Sequence, residues 1–219
     1  TRAGVGLLPV IGSVATEFLN YVMGNPAQER RDDFIQQTYE RLVELEQNFD
    51  QLDKEALKDN EQFQATFVQA ARLSSQTASV EKKRLLQNAI INSAMLTIDE
   101  TLRQMLMQFL DRITPTHAAV LDLFKDPSVN EAVQKSVRHS MGDLSLIVEA
   151  ALPSLRGNQA IANHIVTDLE SMGLLSGASL NVMMSSSGLI AKRSTPLGDT
   201  FLTFIADPDS GRIPDTVYF

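Results

Sequence analysis

The sequence contains no cysteine, and its acidic side chains outnumber its basic ones to give a formal net charge of −8. Without cysteine the chain cannot form disulfides, supply a thiol nucleophile or bind metal through a cysteine thiolate. The negative charge argues against broad binding to nucleic acid, because that affinity depends on clustered cations that displace counterions from phosphates. The absence of cysteine also fits a reducing compartment, and we expect a cytoplasmic protein.

Local motifs for catalysis are missing as well. The sequence has no G-x-S-x-G elbow, no Walker loop and no G-x-G-x-x-G that follows a strand. Its three histidines, His117, His139 and His164, are far apart, and none stands in a metal-binding spacing such as H-x-x-x-H. We therefore expect no catalytic residue, no cofactor and no metal, and predict that the protein is not an enzyme.

Hydrophobic residues make up 43% of the 219 positions, which is enough for a sizeable core. They recur every three or four positions over most of the chain, as in amphipathic helices. One long helix is predicted for residues 27–52. Four residues on its apolar face are candidate interface residues: Ile35, Tyr39, Leu42 and Phe49.

Further helices are predicted between residues 54 and 124. Ser79 would begin one of them, with Lys82-Lys83-Arg84 on its solvated outer face. Thr97 and Glu100 have the spacing of a capping box for the next helix. Thr114-Pro115 combines an N-cap with proline at the first helical position of another.

The last third of the chain has the pattern of a winged helix. Asn158 would cap a helix that Gly173 ends, and Thr195-Pro196 would open the final helix. Between them, two short runs at residues 180–184 and 189–191 predict a small β-hairpin around a serine-rich turn. The paired methionines 183 and 184 are expected to fill gaps in the core.

These patterns predict a mainly α fold with three parts. Residues 1–125 would form a multi-helix domain with an apolar N-terminal helix, and Asp126-Pro127 is the candidate linker. Residues 128–206 would form a winged-helix-like domain with one small β-hairpin, and residues 207–219 a C-terminal tail.

The candidate recognition helix of this winged helix is acidic. It carries Asp168 and Glu170 but no lysine or arginine, and these carboxylates would face phosphates unfavourably. We therefore expect the domain to serve packing or protein contacts, with DNA binding as the less favoured alternative. Four residues are the candidate DNA contacts: Arg156, Asn158, Lys192 and Arg193.

Residues 3–23 form an apolar, glycine-punctuated segment in which Glu17 is the one charged residue. Pro9, the glycines and several polar residues argue against a simple membrane anchor. We expect a helix packed in the core or at a subunit interface, and the alternative is a helix that inserts into a membrane. Five residues are the candidate contacts: Leu8, Ile11, Val14, Phe18 and Tyr21.

Several stretches together carry a family resemblance. They are LLPVIGS (7–13), QERRDDFIQQTYERLVELE (28–46), EKKRLLQNAIINSA (81–94), the run from DETLRQ to FKDP (99–127), DLESMGLL (168–175) and TPLGDTFLTFI (195–205). In this order they resemble uncharacterised bacterial helical proteins, and the plan is similar to the abortive-infection alpha (Abi-alpha) family. That resemblance implies a bacterial protein linked to phage defence, and it carries over no catalytic residue.

The function expected from these observations is that of a non-enzymatic interaction protein. It would act through self-association, a protein partner or both, without a cofactor. One alternative is a membrane-acting effector that uses the apolar N-terminal helix and is membrane-associated for that reason. The other is a winged-helix DNA-binding regulator, because the wing carries Lys192 and Arg193.

Overall fold

The fold was determined as a computed structural model, and the structure describes residues 26–47, 49, 52–137 and 141–210. These residues are mainly helical, as the sequence predicted. In this part of the chain extended pairing is limited to two isolated antiparallel bridges, Gly142–Met184 and Leu175–Ser194.

Eleven α-helices follow one another in the described residues. They are α1 (Pro26–Glu46), α2 (Lys54–Lys58), α3 (Glu61–Ser75), α4 (Val80–Met95), α5 (Glu100–Arg112), α6 (Pro115–Lys125), α7 (Glu131–Val137), α8 (Leu144–Ala151), α9 (Gln159–Ser171), α10 (Ser186–Leu189) and α11 (Pro196–Phe204). Short 3₁₀ turns occupy Pro127–Val129, Pro153–Leu155 and Pro208–Ser210.

Three predicted helix starts are confirmed. The side chains of Ser79 and Thr195 each accept a hydrogen bond from the backbone N–H three residues further on, at the starts of α4 and α11. Thr114 begins α6 in a reciprocal capping box with His117, and Pro115 occupies the first turn. These caps are readable in sequence because donor and acceptor lie within one helical turn.

The predicted start of α5 is wrong by two residues. Asp99, not Thr97, is the N-cap, and its carboxylate accepts from the N–H groups of Thr101 and Leu102. Glu100 does not complete a capping box but binds Arg103, its neighbour three residues on. An aspartate next to the first turn satisfies two backbone donors at once, which is a strong reason for the helix to begin there.

Helix α1 is shorter than predicted, and the first half of its buried face is shifted by one position, whereas Leu42 is buried as predicted. It ends at Glu46, and its buried residues are Phe34, Thr38, Leu42 and Leu45. Thr38 can be buried because its hydroxyl donates to the Phe34 carbonyl at 2.6 Å. The hydroxyl is thereby satisfied within the helix, so a polar residue takes the core position that the pattern gave to an apolar one.

One hydrophobic core connects most of the helices. Helices α1 and α4 pack on α3, and α6 contacts α4, α8, α9 and α11. The core extends from Phe34 in α1 to Ile205 after α11, so residues on both sides of position 126 contribute to it. A smaller cluster joins Leu42, Leu45 and Leu52 to Ile91 of α4.

The region predicted to be a hairpin has a different structure. Residues 186–189 form the short helix α10, capped by Ser185, where the turn was expected. Met184 pairs with Gly142 and Leu175 with Ser194, while the two predicted strands do not pair with each other. The serines explain the difference, because a serine hydroxyl that accepts from the third N–H favours the start of a helix.

Two asparagines of α4 hold the end of α11. Asn92 Nδ2 donates to the carbonyls of Phe204 and Ala206, each at 2.9 Å. Asn88 Nδ2 donates to the Ile205 carbonyl at 2.8 Å. These bonds satisfy carbonyls that have no partner within the helix, and they fix the C-terminal helix on the N-terminal ones.

Candidate interaction surface

The candidate recognition helix is α9, and its N-terminal end is exposed. Asn158 stands at the N-cap position, but its side chain makes no capping hydrogen bond. Arg156 is also exposed, and its Nη2 lies 3.5 Å from the Glu149 carbonyl. The positive φ of Gly173, 71°, ends the helix region as predicted, since that conformation favours glycine.

The two basic residues of the predicted wing are engaged with their own chain. Lys192 forms an ion pair with Asp199 of α11. Arg193 donates from Nε to the Gly177 carbonyl at 3.1 Å, from Nη1 to the Ala191 carbonyl at 2.6 Å and from Nη2 to the Gly188 carbonyl at 2.7 Å. Burial lowers the pKa of Arg193. Arg193 therefore holds the loop between α9 and α11 together.

Four large apolar side chains in the same region are exposed to solvent. They are Met141 (73% exposed), Ile161 (54%), Val182 (48%) and Met183 (63%), and we call them the methionine surface. Met183 was expected in the core, so this expectation is wrong, whereas Met184 is half-buried against the core. Several exposed large hydrophobic residues in one region are typical of a surface that binds another molecule.

Hydrogen bonds join the segments that carry these four residues. Gly142 and Met184 exchange backbone bonds of 3.2 and 2.7 Å, which places the neighbouring Met141 beside the segment that contains Met183. Gln159 Nε2 donates to Asn181 Oδ1 at 2.9 Å and ties the start of α9 to that same segment. All four lie within residues 128–206, which the sequence predicted to form a winged-helix-like domain.

The candidate interface residues of α1 have different environments. Leu42 is buried in the smaller core cluster, and Phe49 packs against that cluster. Ile35 is half-buried against the main core. Tyr39 is 54% exposed. Of the four, Tyr39 therefore presents the most side-chain surface for contact with another molecule.

The N-terminal candidates, Leu8, Ile11, Val14, Phe18 and Tyr21, lie outside the described residues. Among the helices that the structure describes, none has both the length and the hydrophobicity needed to cross a bilayer. The membrane role of the N-terminal segment therefore stays a prediction.

The basic run on α4 is not wholly solvated, which corrects the sequence interpretation. Lys82 is buried, and its ammonium group donates to the carbonyls of Leu110 and Ile113 at the end of α5. Burial lowers the pKa of Lys82 to about 8. The side chain caps the C-terminus of α5, where unpaired carbonyls attract a cation.

Two histidines that are far apart in sequence meet at one carboxylate. Nε2 of His117 and Nε2 of His164 each lie 3.6 Å from Oδ2 of Asp168. Nδ1 of His117 lies 2.8 Å from the Thr114 hydroxyl and 3.3 Å from the Thr114 backbone nitrogen, while Nε2 faces Asp168. Burial lowers the pKa of His117.

No set of three or more histidine or acidic side chains in the described residues is arranged to hold a metal ion. His139 lies outside these residues. His117 caps α6 and is buried. Its contact with α9 through Asp168 has no local sequence signal, because 51 residues separate the two positions.

A cleft of 340 Å³ lies between α4, α6 and the end of α11. Leu85, Ala118 and Leu202 line it, together with the charged residues Asp122 and Lys125. None of the residues that the sequence singled out as functional lies in this cleft. The methionine surface likewise contains none of those residues, and its case rests on the exposure of its four apolar side chains.

The chain matches no protein-family model, no curated protein and no solved structure. The resemblance to the Abi-alpha family therefore stays a prediction from the sequence motifs.

Proposed function

We propose that this protein is a non-enzymatic interaction protein that self-associates through the methionine surface. The observation that carries the proposal is the exposure of Met141, Ile161, Val182 and Met183, on segments that hydrogen bonds hold together. Burying such side chains against another molecule gains about 25 cal/mol for each Å² of apolar surface removed from water. Methionine is suited to the role because its flexible, polarisable side chain adapts to a facing surface.

We also propose that residues 128–206 form a winged-helix-like domain that binds protein rather than DNA. Three features support this assignment: α8 and α9 follow one another, the Leu175–Ser194 bridge comes next, and α11 closes the segment. In a winged helix this order places α9 and the following loop at the reading face. Here α9 and the loop that follows it carry Ile161, Val182 and Met183 of the methionine surface.

The contacts that the basic residues make within the chain favour a protein partner over DNA. Lys192 is paired with Asp199, and the guanidinium of Arg193 is bonded to backbone carbonyls. Neither is well placed to bind phosphate without first breaking contacts within the chain. Asp168 and Glu170 add negative charge to α9, which disfavours the approach of a nucleic-acid backbone.

The setting that we propose is bacterial phage defence, and it rests on the sequence resemblance alone. The protein would act in the cytoplasm without a cofactor. An efficiency-of-plating assay on cells that express the protein or the surface variant described next tests this setting. Equal plaque counts with and without the protein, across a panel of phages, would count against it.

Self-association is tested by light scattering coupled to size-exclusion chromatography over a range of concentrations. The wild-type protein should exceed the monomer mass, and a Val182→Lys/Met183→Lys variant should elute as a monomer. A matched control is Val80→Lys/Val129→Lys, since both valines are exposed but lie on other parts of the chain. A wild-type protein that stays monomeric at every concentration, or a surface variant that still associates, would overturn the proposal.

A further inference from the structure

A groove of 570 Å³ lies between α1 and α3, and its lining combines apolar side chains with arginines. Apolar side chains line it: Ile35 from α1, with Phe67, Val68 and Ala71 from α3. Val68 is 70% exposed although Ala70 and Ala71, which follow it in α3, are buried in the core. Arg72 adds positive charge to the same groove, as does Arg31, which is also paired with Asp32 at 3.3 Å. An apolar groove with basic edges suits an apolar helix that carries a carboxylate.

The groove begins where the described chain begins. Arg30 of α1 donates from Nε to the Ser75 carbonyl at 3.0 Å, so the start of α1 is fixed beside the end of α3. Ala27, the second residue of α1, is itself a lining residue. The polypeptide that precedes Pro26 therefore emerges at the end of the groove.

We propose that the apolar segment 3–23 of the same chain binds in this groove. Gly24-Asn25-Pro26 is a turn signal at the point where the chain must reverse to lie along α1. The apolar positions Val14, Phe18 and Val22 have helical spacing and can share one face. Glu17, the one charged residue of the segment, complements Arg31 and Arg72.

The dimensions agree with this proposal. From Ala27 to Ile35 the α1 side of the groove spans eight residue steps, about 12 Å at 1.5 Å per residue. A helix of nine residues covers that length, and the segment supplies more than this. The covalent link also gives the segment an effective concentration in the millimolar range, which favours it over the same segment of a second copy.

The absence of tryptophan and cysteine from the sequence allows two clean tests. In the first, Phe18→Trp introduces a single tryptophan into the full-length chain, whose emission is followed. Its emission should be blue-shifted, as for a ring shielded from water, and should shift to the red when Val68→Asp is added. Val80→Asp is the matched control, because Val80 is a similarly exposed valine at the start of α4. Circular dichroism checks that each variant keeps its helices.

The second test distinguishes the occupants of the groove. Phe18→Cys combined with Val68→Cys should form a disulfide within one chain, seen as a faster-migrating monomer band on a non-reducing gel. Phe18→Cys with Val80→Cys should not. Disulfide-linked dimers alone would assign the groove to a second copy and overturn the proposal. Red-shifted emission from the Phe18→Trp variant, or blue-shifted emission that Val68→Asp leaves unchanged, would overturn it as well.

Discussion

Arg41 in α1 donates from Nη2 to Oδ1 of Asp207 across 2.8 Å, although 166 residues separate them in sequence. The other oxygen of Asp207 accepts from Arg84 of α4 at 3.0 Å. Nη1 of Arg41 donates to Asn88 Oδ1 at 2.6 Å. Burial lowers the pKa of Arg41. One carboxylate thus joins the first described helix, α4 and the segment after α11.

We expect Asp207→Asn to lower the free energy of unfolding by about 1–2 kcal/mol, because two charge-assisted bonds are weakened at a partly exposed site. Urea denaturation followed by circular dichroism measures the change. Asp209→Asn is the matched control, since Asp209 is exposed and its backbone N–H, which bonds to Asp207, is retained. A variant at position 207 as stable as the wild type would show that this link does not hold the C-terminal segment.

Because the pKa of His117 is lowered in the folded protein, the free energy of unfolding should fall as the pH is lowered. As pH falls below about 6.5, the unfolded chain protonates this histidine before the folded protein does. Stability from the buried neutral ring is therefore complete above that pH and decreases below it. His117→Gln keeps a residue suited to the capping box but cannot titrate. Urea midpoints at pH 7.5 and 5.5 should differ less for this variant; equal pH dependence would refute the assignment.

Gly198 in the first turn of α11 has no room for a side chain. A Cβ atom there would lie 2.2 Å from the Leu174 carbonyl oxygen, a backbone atom. Although alanine normally favours a helix, we expect Gly198→Ala to destabilise the fold by about 3 kcal/mol through this overlap. Thermal unfolding measures the loss. Gly188→Ala should cost less, because its nearest contact is a side-chain atom at 3.1 Å.

We expect Arg193 to contribute to the stability of the fold rather than to DNA binding. Arg193→Ala removes hydrogen bonds to three backbone carbonyls, and we expect a loss of about 1–3 kcal/mol in the free energy of unfolding. Arg156→Ala should change stability little, because Arg156 is exposed and its contact with the Glu149 carbonyl is long, 3.5 Å. If Arg193→Ala instead leaves stability intact and abolishes a measured affinity for DNA, the regulator alternative gains support.

Helix positions were predictable to a large extent, because their signals are local. Ser79, Thr114 and Thr195 begin helices as expected, since each acts on a backbone group within one turn. The errors at α1 and α5 come from competing local bonds. Thr38 satisfied its hydroxyl within the helix, and Asp99 stood nearer to the first turn than Thr97.

The candidate interaction surface was predictable only in part. The acidic character of α9 was visible in its side chains, and the expectation of protein rather than DNA contacts stays a prediction from it. The exposure of Met183 was not visible, because a methionine in a mixed polar segment suits a core and a surface equally. Its position depends on the pairing of Met184 with Gly142, which lies 42 residues earlier.

By itself the sequence determined the helical class, most of the helix starts and the acidic character of the chain, because each depends on composition or on residues within one turn of one another. The tertiary structure decided which charged groups are buried and which apolar ones are exposed. Lys82 caps α5 from another helix, and Asp207 meets Arg41 across most of the chain. Such contacts follow from how the helices pack, and no short-range pattern encodes them.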